Sequence, residues 1–298
     1  MTAQIIDGKQ VAADMRAELK DEVARLKEKG IVPGLGVILV GENPASKSYV
    51  TAKERTCEEL GIYSDDNRLP EDATQEDLMA LVEKMNKDPK INGILVQLPL
   101  PKHLNEAEVL LAIDPDKDVD GFHPMNVGKM MVGEKAFLPC TPHGVIQLLL
   151  RSGVTLEGAN VVIVGRSNIV GKPLANMLIQ KSKTGNATVT VCHTRTKDIA
   201  DQTRQADIVI AAAGRPNMVT ADMVKEGVVV IDVGVNRVED ATKKRGYRLV
   251  GDVDFEAVKE KASLITPVPG GVGPMTITML MYNTVESAKR AAGLGSED

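Results

Sequence analysis

Apolar residues follow two alternating patterns along the chain: short runs typical of buried strands, and longer stretches with helical spacing. In the first helical stretch, apolar residues recur every three or four positions from Val11 to Leu26, and Gly30 closes the helix. Further helices are predicted over 46–60, 74–86 and 274–292. Strands are predicted over 35–40, 93–98, 160–164, 187–192, 207–212, 228–233 and 263–266. Strands that alternate with helices predict parallel sheets covered by helices, and therefore an α/β fold.

The chain divides near its least regular region, residues 114–140, because a second series of strands and helices begins just after it. We predict two lobes with a cleft between them. Residues 1–140 together with 271–298 form the first, an α/β lobe. Residues 141–270 form the second, a nucleotide-binding type of lobe with a Rossmann-like parallel sheet. A length of 298 residues suits such a two-lobe arrangement.

Composition narrows the class of protein. Hydrophobic residues make up 43% of the chain but aromatic residues only 2%, which predicts an aliphatic core. Lysine and arginine number 36 against 41 acidic residues, so the net charge is −5. A nucleic-acid-binding protein normally carries a positive field and aromatic platforms for bases, and the sequence therefore argues against that class.

Nothing in the sequence predicts secretion or membrane insertion. The N-terminus lacks a basic stretch followed by an apolar core, and no apolar run approaches ~18 residues. Cys57, Cys140 and Cys192 show no metal-ligand spacing, and they do not suggest a disulfide framework. We therefore expect a cytoplasmic protein without a membrane or nucleic-acid partner.

A turn at 165–171 joins a predicted strand to a helix and is a candidate dinucleotide-binding turn. Its pattern, G-x-S-x-x-x-G, departs from G-x-G-x-x-G. Gly165 and Gly171 nevertheless permit a tight bend and a close approach to pyrophosphate at the helix N-terminus. An ordinary strand-to-helix turn is the alternative. Gly214 and Gly234 follow two later strands, at the strand ends where ligands of open α/β sheets bind.

The turn after the next strand, residues 192–197, favours NADP over NAD. An NAD-binding fold usually has an acidic residue there for the ribose hydroxyl groups, and this turn contains none. Arg166, Thr194 and Arg195 are instead candidates for holding a ribose 2′-phosphate. A solvated basic turn is the alternative interpretation.

The acidic run at 116–120 begins like a calcium-binding loop but does not complete one. An EF-hand needs Glu six residues after its glycine, and Val127 stands at that position after Gly121. We predict no metal site, although one of the clustered carboxylates remains a functional candidate beside the commoner solvated turn. The four histidines are scattered and are interpreted as structural.

Three further features are candidates for ligand binding, and the last of them suits a flat ligand. Tyr49 and Lys53 share one face of a helix, although most helical lysines are simply solvated. Gln97 is a buried amide at the end of an apolar strand, and its partner is either a ligand or another protein group. The loop at 267–276, with three glycines between prolines, permits close backbone approach or serves as a tight crossover turn.

Together these motifs resemble the bifunctional methylenetetrahydrofolate dehydrogenase/methenyltetrahydrofolate cyclohydrolase family over essentially the whole chain. They occur in the family's order at 49–53, 96–101, 118–121, 165–171 and 269–276. The resemblance implies NADP-dependent oxidation of 5,10-methylenetetrahydrofolate, followed by hydrolysis of the methenyl product to 10-formyltetrahydrofolate. It also implies a homodimer, with the tetrahydrofolate derivative bound between a catalytic lobe and an NADP lobe.

The resemblance further implies roles for individual residues. Lys53 is the expected principal catalytic group, Gln97 its hydrogen-bond partner, Asp120 the group that binds the pterin, and Tyr49 a ring that flanks the folate. The expected substrate-binding residues are Tyr49, Lys53, Gln97, Leu98, Asp120, Pro269, Gly270 and Gly271. The expected cofactor-binding residues are Gly165, Arg166, Ser167, Thr194, Gly214, Val235 and Thr276.

Two other classes of protein remain open at this stage. One is another two-lobe NADP oxidoreductase acting on a small hydroxy or amino acid, which would not need Lys53, Gln97 and Asp120 together. The other is a non-catalytic ligand-binding protein on the same scaffold, because a fold alone does not establish catalysis. A degenerate member should lose the catalytic lysine or the phosphate turn, and this chain keeps both.

Overall fold

The computed structural model describes residues 2–243 and 246–295, which form an α/β fold. Ten α-helices lie in these ranges: α1 Gly8–Glu28, α2 Pro44–Leu60, α3 Gln75–Lys87, α4 Glu106–Ala112, α5 Pro124–Val132, α6 Cys140–Arg151, α7 Gly171–Ile179, α8 Ile199–Gln205, α9 Phe255–Lys259 and α10 Val272–Ala291. Eleven strands lie there too: β1 Gln4–Ile5, β2 Gly34–Val40, β3 Tyr63–Leu69, β4 Gly93–Val96, β5 Asn160–Val164, β6 Thr188–Cys192, β7 Ile208–Ala211, β8 Val229–Asp232, β9 Asn236–Glu239, β10 Tyr247–Val250 and β11 Leu264–Ile265.

The chain folds as two compact units, each built on its own parallel sheet. Among the residues that the structure describes, the small-sheet unit consists of 14–140 and 277–295. The large-sheet unit consists of 2–13 together with the described residues of 141–276. The α/β class and the presence of two parallel sheets confirm the fold predicted from the alternation of strands and helices.

In the small-sheet unit, three strands of the described chain pair in the order β3–β2–β4, all parallel. Every residue of β2 is buried because the strand is covered on both sides. Side chains from α3 and α4 pack with β2 and β4 in one aliphatic cluster that includes Ile38, Leu78 and Val109. Helix α3 begins at a capping box formed by Thr74 and Asp77.

In the large-sheet unit, six strands within the described ranges pair in parallel in the order β1–β11–β8–β7–β5–β6. The strands are short and rich in valine and isoleucine, and they bury side chains such as Val162, Val209 and Val230. Their carboxyl ends carry the turns at 165–171, 192–197, 212–216 and 232–236. Strands β9 and β10 form a separate antiparallel pair just after β8.

The structure differs from the predicted organisation in two places. The first residues belong to the large-sheet unit rather than to the lobe formed by 1–140, because Gln4 and Ile5 pair with Leu264 and Ile265 and extend the larger sheet. Residues 271–276 also belong to the large-sheet unit, whereas the prediction placed its end at residue 270. The irregular region at 114–140 contains helix α5.

No helix in the part of the chain that the structure describes is both long and apolar enough to cross a lipid bilayer.

We expect Leu78→Ala to lower the free energy of unfolding by about 2–4 kcal/mol, because it leaves a cavity among side chains that cannot fully relax. Leu78 is 0% exposed in α3. The measurement is urea denaturation followed by circular dichroism. Leu111→Ala in α4 is the control, since Leu111 is 55% exposed and should have little effect. Equal losses for the two variants would contradict this account of the core.

Candidate functional site

Lys53 lies on the buried face of helix α2. Asn43 caps this helix by accepting from the Ser46 N–H, and Pro44 occupies its first position, which places the helix start directly after β2. The buried residues Val50, Lys53 and Cys57 recur at helical spacing. The lysine therefore lies between the apolar side chains of Val50 and Cys57 on this face and is only 8% exposed.

The amine of Lys53 donates to a side chain at the end of a neighbouring strand. Its Nζ lies 3.0 Å from Oε1 of Gln97, the first residue after β4. The amide Nε2 of Gln97 donates to the Leu98 carbonyl at 2.7 Å. Because that second bond uses the amide nitrogen, the amide oxygen is the atom turned toward Lys53. The pairing predicted for these two residues is present in the structure.

Asp120 is an electrostatic partner of Lys53. Burial lowers the pKa of Lys53 because it removes the hydration of the ammonium ion, and the negative charge of Asp120 partly opposes that effect. Burial likewise raises the pKa of Asp120 to about 6, and the positive charge of Lys53 works against the rise. The pKa values of the amine and of the carboxyl group therefore shift toward each other, which favours proton transfer by such groups.

The backbone around Asp120 is held by its neighbour Asp118. The Asp118 carboxylate is 2% exposed and accepts from the backbone N–H groups of Phe122 and His123 and from the side-chain amide of Asn126. Asp118 also forms a parallel bridge with Ile94, a residue of β4. Of the three carboxylates in this acidic run, Asp118 therefore orders the loop, Asp120 acts on Lys53 through its charge, and Asp116 is exposed.

Asn283 links the loop that contains Asp120 to the segment that contains Leu138. Its side-chain amide, on helix α10, donates to the Val119 carbonyl at 2.8 Å and to the Leu138 carbonyl at 2.9 Å. The thiol of Cys140 lies 3.9 Å from the Asp120 carboxylate. Gly121 has φ +72°, and a Cβ there would lie 2.7 Å from the Phe137 carbonyl oxygen. Only glycine therefore allows the two segments to approach so closely.

Sequence reasoning did not single out Asp118, Cys140 or Asn283 individually. Lys53 could be recognised from the sequence, because it interrupts the apolar positions Val50 and Cys57 on one face of the helix. The partners of Asn283 are backbone carbonyls more than 140 positions away, and no local pattern reports them. Of the other predicted residues, Tyr49 is 48% exposed one turn before Lys53, and Leu98 directly follows Gln97.

In the large-sheet unit, the turn at 165–171 is as tight as a dinucleotide-binding turn requires. Gly165 has φ +139°, and a Cβ there would lie 2.1 Å from the Ala212 carbonyl oxygen. A Cβ on Gly171 would lie 2.2 Å from the Gly165 carbonyl oxygen. The Ser167 hydroxyl accepts from the N–H groups of Val170 and Gly171 at the start of α7. Both glycines thus permit the tight bend for which the sequence proposed them, and the close approach to pyrophosphate stays a prediction.

The remaining predicted cofactor residues also lie in this unit, mostly at strand ends. Arg166, Thr194, Gly214 and Val235 are exposed, in the turns that follow β5, β6, β7 and β8. Thr276 differs, since it lies in α10 and its hydroxyl is 2.9 Å from that of Thr141.

The loop at 267–276 packs against the start of α1. A Cβ on Gly8 would lie 1.8 Å from the Gly271 carbonyl oxygen, so the two backbones touch. Pro269 is exposed and Gly270 half-buried, with φ +109° at Gly270. Among residues 2–243 and 246–295, no group of three or more His, Cys, Asp or Glu side chains is placed to hold a metal ion.

Two family models match successive parts of the chain. Residues 6–120 match the family model described as the tetrahydrofolate dehydrogenase/cyclohydrolase catalytic domain. Residues 139–292 match the one described as the tetrahydrofolate dehydrogenase/cyclohydrolase NAD(P)-binding domain. Over 294 residues the chain is 62% identical to the bifunctional protein FolD of Syntrophus aciditrophicus (strain SB), covering 99% of this chain and 100% of that protein.

Solved structures agree with the sequence comparison. The bifunctional enzyme FolD, a methylenetetrahydrofolate dehydrogenase/cyclohydrolase from Campylobacter jejuni, is 53% identical with a TM-score of 0.91, covering 97% of this chain and 99% of that one. The FolD methylenetetrahydrofolate dehydrogenase-cyclohydrolase of Trypanosoma brucei, complexed with NADP cofactor and inhibitor, is 42% identical with a TM-score of 0.92, covering 98% and 99%.

We expect Asp120→Asn to lower the pKa of Lys53 further, because it removes the negative charge that favours the ammonium form. The measurement is an NMR titration of protein labelled with 13C at lysine Cε, in which Lys53→Met identifies the resonance. In the wild type, Lys53 should titrate below the exposed lysines.

Asp116→Asn is the matched control, since Asp116 is exposed in the same loop and should leave the Lys53 midpoint unchanged. An unchanged midpoint in Asp120→Asn would show that the two groups do not interact.

Proposed function

The chain belongs to the tetrahydrofolate dehydrogenase/cyclohydrolase family, as its motifs predicted, and on that premise we propose a bifunctional one-carbon enzyme. It oxidises 5,10-methylenetetrahydrofolate to the methenyl form with NADP and then hydrolyses that product to 10-formyltetrahydrofolate. The observation that carries the proposal is the buried Lys53 amine, hydrogen-bonded to Gln97 and electrostatically coupled to Asp120.

The oxidation requires placement more than acid–base chemistry. When bound, the nicotinamide cofactor accepts a hydride from the one-carbon bridge between two folate nitrogens, and the product is a resonance-stabilised cation. No proton needs to leave, so this step depends on orientation. The turn at 165–171 fits the cofactor, because a side chain on Gly165 or Gly171 would collide with backbone and close the approach to the helix.

NADP is the cofactor we propose, rather than NAD. The turn after β6 contains no carboxylate for the ribose hydroxyl groups, whereas Arg166 and Thr194 are exposed at neighbouring strand ends. The T. brucei relative, 42% identical, was solved with NADP. We assign Gly165, Arg166, Ser167, Thr194, Gly214, Val235 and Thr276 to the cofactor.

Hydrolysis requires proton transfers, and Lys53 is the group that we assign to them. The neutral amine takes a proton from the water that adds to the cationic methenyl carbon. The resulting ammonium ion returns that proton to the ring nitrogen as its bond to the carbon breaks, and the hydroxyl group on the carbon releases its proton to solvent as the formyl C=O forms. Burial already lowers the pKa of Lys53, and a cationic substrate would lower it further, so the neutral form needed to begin the cycle becomes accessible.

The other residues orient the substrate in this proposal. Gln97 holds the Lys53 amine, and Asp120 accepts hydrogen bonds from the amidine-like edge of the pterin. Tyr49 flanks the ring system, and the backbone at Leu98, Pro269, Gly270 and Gly271 completes the folate-binding residues. A homodimer and a cytoplasmic location are the accompanying predictions.

The two alternative classes fit less well. A dehydrogenase for a small hydroxy or amino acid would not need Lys53, Gln97 and Asp120 together. A non-catalytic binding protein would not need to retain a desolvated amine, since an unneeded buried cation destabilises the fold.

We expect Lys53→Met to reduce the cyclohydrolase rate at least about 100-fold, because it removes the acid–base group. Dehydrogenase activity should fall less, since hydride transfer needs no base. Both activities are measured spectrophotometrically on the same preparation. Lys47→Met, on the same helix, is the control and should retain both activities. A wild-type cyclohydrolase rate in Lys53→Met would exclude the proposed role.

We expect Arg166→Ala to raise the KM for NADP about tenfold, because it removes a charge-assisted contact to the 2′-phosphate. The KM for NAD should change much less. Lys197→Ala, an exposed cation in the turn after β6, is the control and should affect neither cofactor strongly. Equal changes in the two KM values would argue against a 2′-phosphate contact at Arg166.

A further inference from the structure

Two buried aspartates accept hydrogen bonds from the turns at the carboxyl ends of β7 and β8. Asp232 ends β8 and is 3% exposed, and Asp252 follows β10 and is 0% exposed. Neither residue is used in the chemistry proposed above. A buried carboxylate must be compensated by hydrogen-bond donors or by positive charge, so the partners of these two groups reveal what they hold in place.

Asp252 is compensated mainly by backbone N–H groups. One oxygen, Oδ2, accepts from Ala213 at 2.6 Å and from Gly214 at 2.8 Å. The other, Oδ1, accepts from the Arg215 N–H at 2.9 Å and from the side-chain amide of Asn236 at 2.8 Å. A single carboxylate therefore binds three successive N–H groups after β7 and reaches the chain that follows β8.

Asp232 holds Asp252 in position. Its Oδ1 accepts from the N–H groups of Gly234 and Asp252, both at 2.9 Å, and its Oδ2 accepts from Val253 at 2.9 Å. Its own N–H donates to the Thr266 hydroxyl at 2.7 Å. Hydrogen bonds thus connect the ends of β7, β8 and β11 through the side chains of Asp252, Asp232 and Thr266.

Two glycines provide the space for these carboxylates. A Cβ on Gly234 would lie 2.2 Å from Oδ1 of Asp252, and a Cβ on Gly251 would lie 1.8 Å from Oδ2 of Asp232. The sequence predicted that a ligand approaches the backbone at Gly234, but the space beside its Cα is filled by the Asp252 carboxylate. The absence of a side chain at Gly234 therefore makes room for Asp252.

The three N–H groups at 213–215 point into one concavity, an arrangement that binds anions. Because the Asp252 carboxylate already fills it, these groups are not available to a cofactor phosphate. Their effect on a ligand must come through the shape of the turn. Gly214 and Val235, on the two turns that Asp252 joins, are both assigned to the cofactor above.

We propose that Asp252 is a positioning residue for the nicotinamide cofactor, because its carboxylate fixes the turn at 213–215 to the segment at 234–236. This inference rests on the proposed function, which places the cofactor against those turns. In Asp252→Asn only the side-chain amide oxygen can accept hydrogen bonds. Two donors therefore lose their acceptor whichever way the amide is turned. They are either the N–H groups at 213 and 214 or the N–H at 215 together with the Asn236 amide. The turns then separate.

The test compares full-length wild type with Asp252→Asn by isothermal calorimetry with NADP, by steady-state dehydrogenase kinetics and by the cyclohydrolase rate. We expect the Kd and KM for NADP to rise about tenfold, since buried donors lose their acceptor. The dehydrogenase kcat should fall much less, and the cyclohydrolase rate should not change. Thermal unfolding is recorded so that all binding is measured below the transition.

Asp207→Asn is the matched control at the opposite end of β7. Asp207 accepts from the Asn160 N–H at 2.8 Å and from the Lys225 amine at 2.6 Å, away from the turns. It should leave the Kd for NADP unchanged. If Asp252→Asn does not fold, Asn236→Ala replaces it and should raise the Kd about threefold, since it removes one donor from the same carboxylate.

Each outcome separates the positioning role from the proposed function. A loss of thermal stability with an unchanged Kd for NADP would mean that Asp252 is merely structural and would overturn the inference. Wild type that binds NADP but does not oxidise methylenetetrahydrofolate would refute the dehydrogenase assignment, while the Kd comparison would still decide the role of Asp252. Wild type that does not bind NADP would refute both.

Discussion

The hydrogen bond from the Lys53 amine to Gln97 holds an ionisable group where water cannot solvate it. Burial makes the ammonium form costly, and the carboxylate of Asp120 only partly offsets that cost. The surrounding structure serves this arrangement. Helix α2 presents the lysine from its apolar face, β4 ends at the glutamine, and Asn283 holds the chain beside Asp120. The proposed hydrolysis depends on this incomplete compensation, because it makes the neutral amine available.

The large-sheet unit uses buried charge in the opposite way. Asp252 accepts four hydrogen bonds, three of them from consecutive backbone N–H groups, and its environment compensates it closely. A group compensated in this manner acts as an anchor for loops rather than as a reagent. The two units thus illustrate one principle: the number of partners around a buried ionisable group decides whether it reacts or holds the structure together.

Sequence patterns predicted the strands and helices in which burial follows one regular pattern along the element. The strand at 35–40 is buried on both faces and reads as an apolar run, and the structure gives Gly34–Val40. Strand β3 was missed because Tyr63–Leu69 is a mostly polar edge strand that pairs only on one side, with β2. Strand β1 was missed because it is two residues long and pairs with residues some 260 positions later, where no local signal exists.

The sequence by itself determined the α/β class, the glycines of the turn at 165–171 and the candidates Lys53, Gln97 and Asp120, because these depend on local periodicity, backbone freedom and recognisable motifs. Tertiary structure alone decided that Asp118 orders the loop while the charge of Asp120 acts on the lysine, that Asn283 supports the loop and that Asp252 joins two turns. The physical reason is that a carboxylate's role depends on which distant donors meet it once it is buried, and a chain read residue by residue does not contain those distances.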